Sequence, residues 1–153
     1  MTKPPAEEGV LDSGSVPGAT SPPRADEYVA GVCNIGPAEI ARRRRVGHGG
    51  VAVTAMLLAI LAVSRATRPW RLLAAIPAAV AASGYLQAAH HFCANFGWRG
   101  VFNFGDLGPA ERVEDAGARA ADRRQALRIG LESLAFGLGV GLVSLVPKGG
   151  RRR

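Results

Sequence analysis

The sequence predicts an all-α integral membrane protein with about three transmembrane helices and short interfacial helices. Two uncharged stretches lead to that reading. Residues 49–64 contain no charged side chain, and residues 72–98 contain no Asp, Glu, Lys or Arg. A third observation supports it: the arginines gather at the edges of the apolar blocks instead of being scattered through them. The chain has 153 residues, 48% of them hydrophobic and 20% charged, so apolar and polar residues must be segregated. A soluble bundle would use shorter helices, each with a polar face, and the first two blocks have none. With two cysteines the chain is no disulfide scaffold, and its apolar blocks exclude an intrinsically disordered protein.

Residues 1–27 carry Pro4, Pro5, Pro17, Pro22 and Pro23 among small and charged residues. Without a periodic apolar pattern they cannot offset the entropy of ordering, and a disordered tail is expected. No apolar run follows Met1, so a signal peptide is not expected. Residues 28–147 form the expected helical membrane domain. Its first helix starts at Gly36-Pro37-Ala38-Glu39: Pro37 suits the first helical position and Glu39 the positive end of the helix dipole. A short interfacial helix should run from there through Arg42, Arg43, Arg44 and Arg45. The same tetrapeptide recurs as Gly108-Pro109-Ala110-Glu111 and suggests a second helix start.

The first span is expected at about 46–64, where nineteen residues rise about 28 Å. A second is placed at 69–92, with Pro77 as a kink and with Trp70 and Trp98 as aromatic anchors at its two ends. The apolar knot 100–105 is too short to span; it should lie in the interface or pack on the helix ends. Residues 111–128 read as a polar helix, with Asp115 and Arg119 as an i,i+4 pair. The third span, 129–147, contains Glu132, which should pair with Arg128, and a ladder of small residues, Ser133, Gly137 and Gly141. Residues 148–153 form a basic C-terminal tail.

The net charge of +7 fits anionic lipid head groups. Nucleic acid is not the expected partner, because the basic runs abut apolar runs and have no stacking aromatics beside them. Arg42, Arg43, Arg44 and Arg45 read as a membrane-surface run that fixes orientation. Three spans leave ten basic residues near the membrane on the N-terminal side and seven on the other. This favours a cytoplasmic N-terminus.

Two spans also separate Cys33 and His48 from His90, His91 and Cys93, which puts every His and Cys of the chain on one membrane face. Cys33, His48, His90 and Cys93 are candidate ligands for zinc or copper, with His90 and Cys93 at i,i+3. The plainer reading makes the histidines interfacial and the cysteines packing residues, with no cofactor. In a reducing cytoplasm the cysteines stay free; the inverted topology would allow a Cys33–Cys93 bridge. Ser83 and Gln87 should hydrogen-bond between helices. No catalytic triad can be assembled, because the histidines have no carboxylate nearby.

Residues 32–40 (VCNIGPAEI), Gly84-Tyr85-Leu86-Gln87, His91-Phe92-Cys93-Ala94 and Gly100-Val101-Phe102-Asn103-Phe104 together resemble a group of small uncharacterised bacterial membrane proteins. The resemblance covers roughly 28–147. It implies a membrane fold and a bacterial source, brings no activity or binding residue with it, and suggests that the Cys33 and Cys93 segments form one unit. The expected function is therefore that of a small non-enzymatic membrane protein that self-associates through the Ser133/Gly137/Gly141 face or supports a larger membrane complex. The alternatives are a membrane thiol, metal or redox protein built on the Cys/His set, or an oligomeric transporter of ions or small solutes.

Overall fold

The structure, a computed structural model, describes residues 27–107 and 109–146. The two tails expected at 1–27 and 148–153 therefore lie outside the described residues except for Glu27, and so does the Pro147 end of the third span. The described residues form four α-helices, one 3-10 segment and one two-stranded sheet.

Helix α1 runs Pro37–Val63, 27 residues, about 40 Å. Gly36 is its extended N-cap and Pro37 opens it, as the sequence suggested. The interfacial helix and the first span are not separate elements. Nothing between Arg45 and Val46 breaks a helix, so the polar turns continue into the apolar ones. After Ser64 the chain turns in a Schellman arrangement: Ala66 N–H donates to Leu61 O and Arg65 N–H to Ala62 O, with Arg65 at φ 53°.

The second span starts as a 3-10 segment, Arg68–Ala74, and continues as α2, Ala75–Ala89. Pro77 accounts for the change of helix type. Its ring would clash with the carbonyl four residues back in a continuous α-helix, and the tighter 3-10 turns before it avoid that clash. Helix α2 ends at Ala89 in a second Schellman turn, with Phe92 N–H on Gln87 O and His91 at φ 50°. Helix α3, Ala94–Arg99, follows at once.

Strands β1 (Val101–Phe102) and β2 (Glu111–Arg112) pair antiparallel, Val101 opposite Arg112. The 100–105 knot thus packs on the helix ends. Glu111 is in a strand, so the second Gly-Pro-Ala-Glu does not start a helix. Helix α4, Ala116–Ser144, begins five residues later; Asp115 caps it, its carboxylate accepting Ala118 N–H at 2.7 Å. The expected Asp115–Arg119 pair gives way to this cap, and Arg119 donates to the Val113 and Glu114 carbonyls. Arg128 and Glu132 do pair, at 2.9 Å. The polar helix and the third span are one element, ending at Ser144.

Helix α2 packs between α1 and α4. Its contact faces are made of small residues, among them Ala78, Ala81, Ala82 and Ala88, all buried. The backbones nearly touch: a methyl group on Gly84 would lie 2.5 Å from Gly47 N, and one on Gly137 2.5 Å from Ala75 O. The large apolar residues face outward instead, with Val53, Met56 and Ile60 on α1 and Leu131, Leu134, Leu138 and Leu142 on α4 all exposed. Pro37–Val63, Arg68–Ala89 and Ala116–Ser144 are each long and apolar enough to cross a membrane. Trp70 and Trp98 are exposed near opposite ends of the second one.

Candidate functional site: a buried polar cap

At one end of the three long helices the loops close into a small cap. Two-residue strands offer too few backbone bonds to hold it, so side chains take over that role. Asn34 is wholly buried, and its carboxamide pairs with the backbone of Cys93 in both directions: Cys93 N–H donates to Oδ1 at 2.7 Å, and Nδ2 donates to Cys93 O at 3.2 Å. The backbone around it extends the pairing. Asn34 and Ile35 N–H both donate to His91 O, Asn103 N–H to Asn34 O, and Gly36 N–H to Asn103 O. The Cys33 and Cys93 segments therefore do form one unit.

Asp122, on α4, is also wholly buried. Its carboxylate accepts Tyr28 O–H at 2.9 Å and Gly31 N–H at 2.7 Å, pinning the segment before α1 to the last helix. Burial and the neighbouring Asp122 carboxylate push the Tyr28 hydroxyl well above its ordinary range.

Glu39, buried on the first turn of α1, accepts from Arg42 at 3.4 Å and Arg43 at 3.5 Å. Arg43 also donates to Cys93 Sγ at 3.0 Å. Arg43 is thus half-buried and turned into the fold, unlike the surface arginine expected there; Arg42, Arg44 and Arg45 are exposed. Burial pushes the Cys93 thiol up, and the guanidinium opposes that shift without reversing it. Cys33 is raised for the same reason, and its thiol donates to Glu27 O at 3.0 Å.

The Cys/His set does not converge. Both cysteines are free and buried. His48 Nδ1 meets Tyr85 O–H at 2.6 Å on the α1–α2 surface. His90 caps α2, so His90 and Cys93 do not share a helix. Among the described residues no three His, Cys, Asp or Glu side chains gather where an ion could sit. The structure does not bring the zinc or copper candidates Cys33, His48, His90 and Cys93 together: the turn at His91 sends Cys93 inward against Arg43. Gln87 bonds between helices as expected, whereas Ser83 bonds only within its own helix. Gln87 Nε2 donates to Ser83 Oγ at 2.8 Å within α2, and its Oε1 accepts Ala94 N–H at 3.0 Å, tying α2 to α3.

Ser133, Gly137 and Gly141 are buried, the two glycines against Ala75 and Ala79 of the same chain. The ladder is a contact face, as expected, but α2 occupies it in place of a second copy. The residues that sequence reasoning missed are Asn34, Asn103 and Asp122, and Arg43 was read as a surface residue. Asp122 lies among Arg119, Arg123 and Arg124 in a stretch that reads as a polar helix, so nothing near it in sequence marks it out.

No protein-family model, curated protein or solved structure matches the chain. The resemblance described above rests on its residue strings alone.

Proposed function

We propose that this chain is a small non-enzymatic integral membrane protein that crosses a bacterial cytoplasmic membrane three times and works as a self-associating unit or as a fixed subunit of a larger membrane complex. One observation supports the reading above others. Apart from Arg43 Nε, the buried polar groups of the cap bond to one another, whereas the apolar outer faces of α1 and α4 have no partner among the described residues. A site built for chemistry would aim polar groups at a cleft. This cap aims them inward, which suits a rigid mount.

Membrane insertion is tested by alkaline extraction; the chain should stay in the pellet until detergent is added, and release by alkali alone would refute the reading. Assembly is tested by the mass of the detergent-solubilised particle. Multiples of 15.9 kDa, or a co-purifying subunit, support it, and a lone monomer counts against it. The positive-inside count favours a cytoplasmic cap and N-terminus. The native cysteines are buried and serve poorly as reporters. An impermeant maleimide should label Thr67→Cys in intact cells and Glu114→Cys only in opened ones; the reverse pattern would invert the topology.

A further inference from the structure

Away from the cap, residues of α1, the 3-10 segment and the end of α4 line a cleft of about 670 Å³. Its walls are largely apolar: Leu58 and Ala62 from α1, Val143 from the end of α4 and Val146 just beyond it. Arg68 and Arg71 also line it. Arg71 is held in place, donating to Ser144 O at 3.3 Å while its own carbonyl accepts Ser144 Oγ at 3.3 Å. Among the described residues no carboxylate pairs with either arginine. Trp70 sits exposed between them in sequence, as an interfacial aromatic would.

Two guanidinium groups at the mouth of a hydrocarbon-walled cleft match one ligand chemistry: a phosphate diester with a net negative charge and apolar chains. Guanidinium binds phosphate oxygens in a bidentate way and tolerates partial dehydration. Basic pockets between membrane helices bind anionic head groups by the same means. We propose that this cleft holds an anionic phospholipid, with its phosphate between Arg68 and Arg71 and its acyl chains along Leu58 and Val143. A zwitterionic lipid would bring its own cation towards the two arginines and bind less well. The proposal rests on the membrane reading above.

The test is native mass spectrometry of the full chain in mild detergent, titrated with dioleoyl phosphatidylglycerol or dioleoyl phosphatidylcholine. Retention of phosphatidylglycerol should exceed that of phosphatidylcholine at least about five-fold. The Arg68→Gln/Arg71→Gln double variant should bring the two lipids to the same level. Ala62→Trp, which fills the cleft and keeps both arginines, should lower retention of both. Arg44→Gln, an exposed arginine at the other end of α1, should leave the preference intact. Equal retention by the native chain overturns the proposal, as does full preference in the double variant. Displacement of the lipid by millimolar inorganic phosphate also overturns it, because it shows an anion site indifferent to the chains. Release by alkali in the extraction experiment would instead refute the membrane reading itself, so the two failures can be told apart.

Discussion

Asn34 and Cys93 are joined as two neighbouring strand residues would be, except that one partner contributes its side chain. The carboxamide of Asn34 gives and receives one hydrogen bond with the Cys93 backbone, and neither residue touches solvent. Removing the amide leaves a buried N–H and a buried carbonyl without partners. Asn34→Ala should therefore cost about 2–4 kcal/mol of stability. Asn34→Asp should cost at least as much, because it turns a carboxylate oxygen towards the Cys93 carbonyl. Thermal unfolding in detergent measures the loss, and faster maleimide reaction at Cys93 should report the opened cap.

Asp122 and Tyr28 give a graded series. Tyr28→Phe removes one hydrogen bond to a charged acceptor and should cost about 1.5–3 kcal/mol. Asp122→Asn keeps a group that can accept from Gly31 and donate to Tyr28, so its effect should be milder than that of Asp122→Ala. Limited proteolysis before Pro37 should follow the same order. Equal cleavage in all three variants would show that the pin does not hold this segment.

The glycines divide into two kinds. Gly84→Ala places a methyl group 2.5 Å from Gly47 N and must push α1 and α2 apart, for about 1–3 kcal/mol. Gly49→Ala meets nothing within 4 Å and should stabilise α1 by about 0.5–1 kcal/mol, the ordinary gain from replacing a helical glycine. Opposite shifts in melting temperature are expected, although both sites lie in the same helix pair.

Stability should fall in alkali. The Cys93 and Cys33 thiols are raised above the usual 9.0, so the native chain keeps protons that the unfolded chain releases. Their contribution is complete below pH 9 and is lost as pH rises above it. Each thiol steepens the decline by up to about 1.4 kcal/mol per pH unit. Unfolding measured between pH 7.5 and 10.5 should show this slope, and Cys93→Ala should flatten it. An unchanged slope would mean that the Cys93 thiol ionises equally in both states.

Much of the bundle was legible because membrane spans are written locally. The uncharged runs, Pro37 at a helix start, Glu132 four residues after Arg128, and the two tryptophans all sit close in sequence to what they affect. The exact ends were less legible, since α1 and α4 carry charged turns straight into apolar ones with no breaker. The cap was hidden for a different reason. Asn34 meets its partner 59 positions away, and Asp122 reaches back 91 and 94 positions, so neither leaves a short-range pattern. Strands of two residues leave none either. The small-residue ladder was visible, but spacing alone does not tell whether its partner is another chain or the helix before it.

The pin between Tyr28 and Asp122 also fixes an order of events. Synthesis delivers the segment before α1 first, yet its anchoring carboxylate is on the last helix. That segment has no docking surface until α4 has been made and laid against α2. Closure of the cap is therefore a late step, and it waits on contacts distant in sequence. A closed cap certifies that all three long helices have assembled, so a ribosome stalled before residue 122 would leave the N-terminal segment open to proteases.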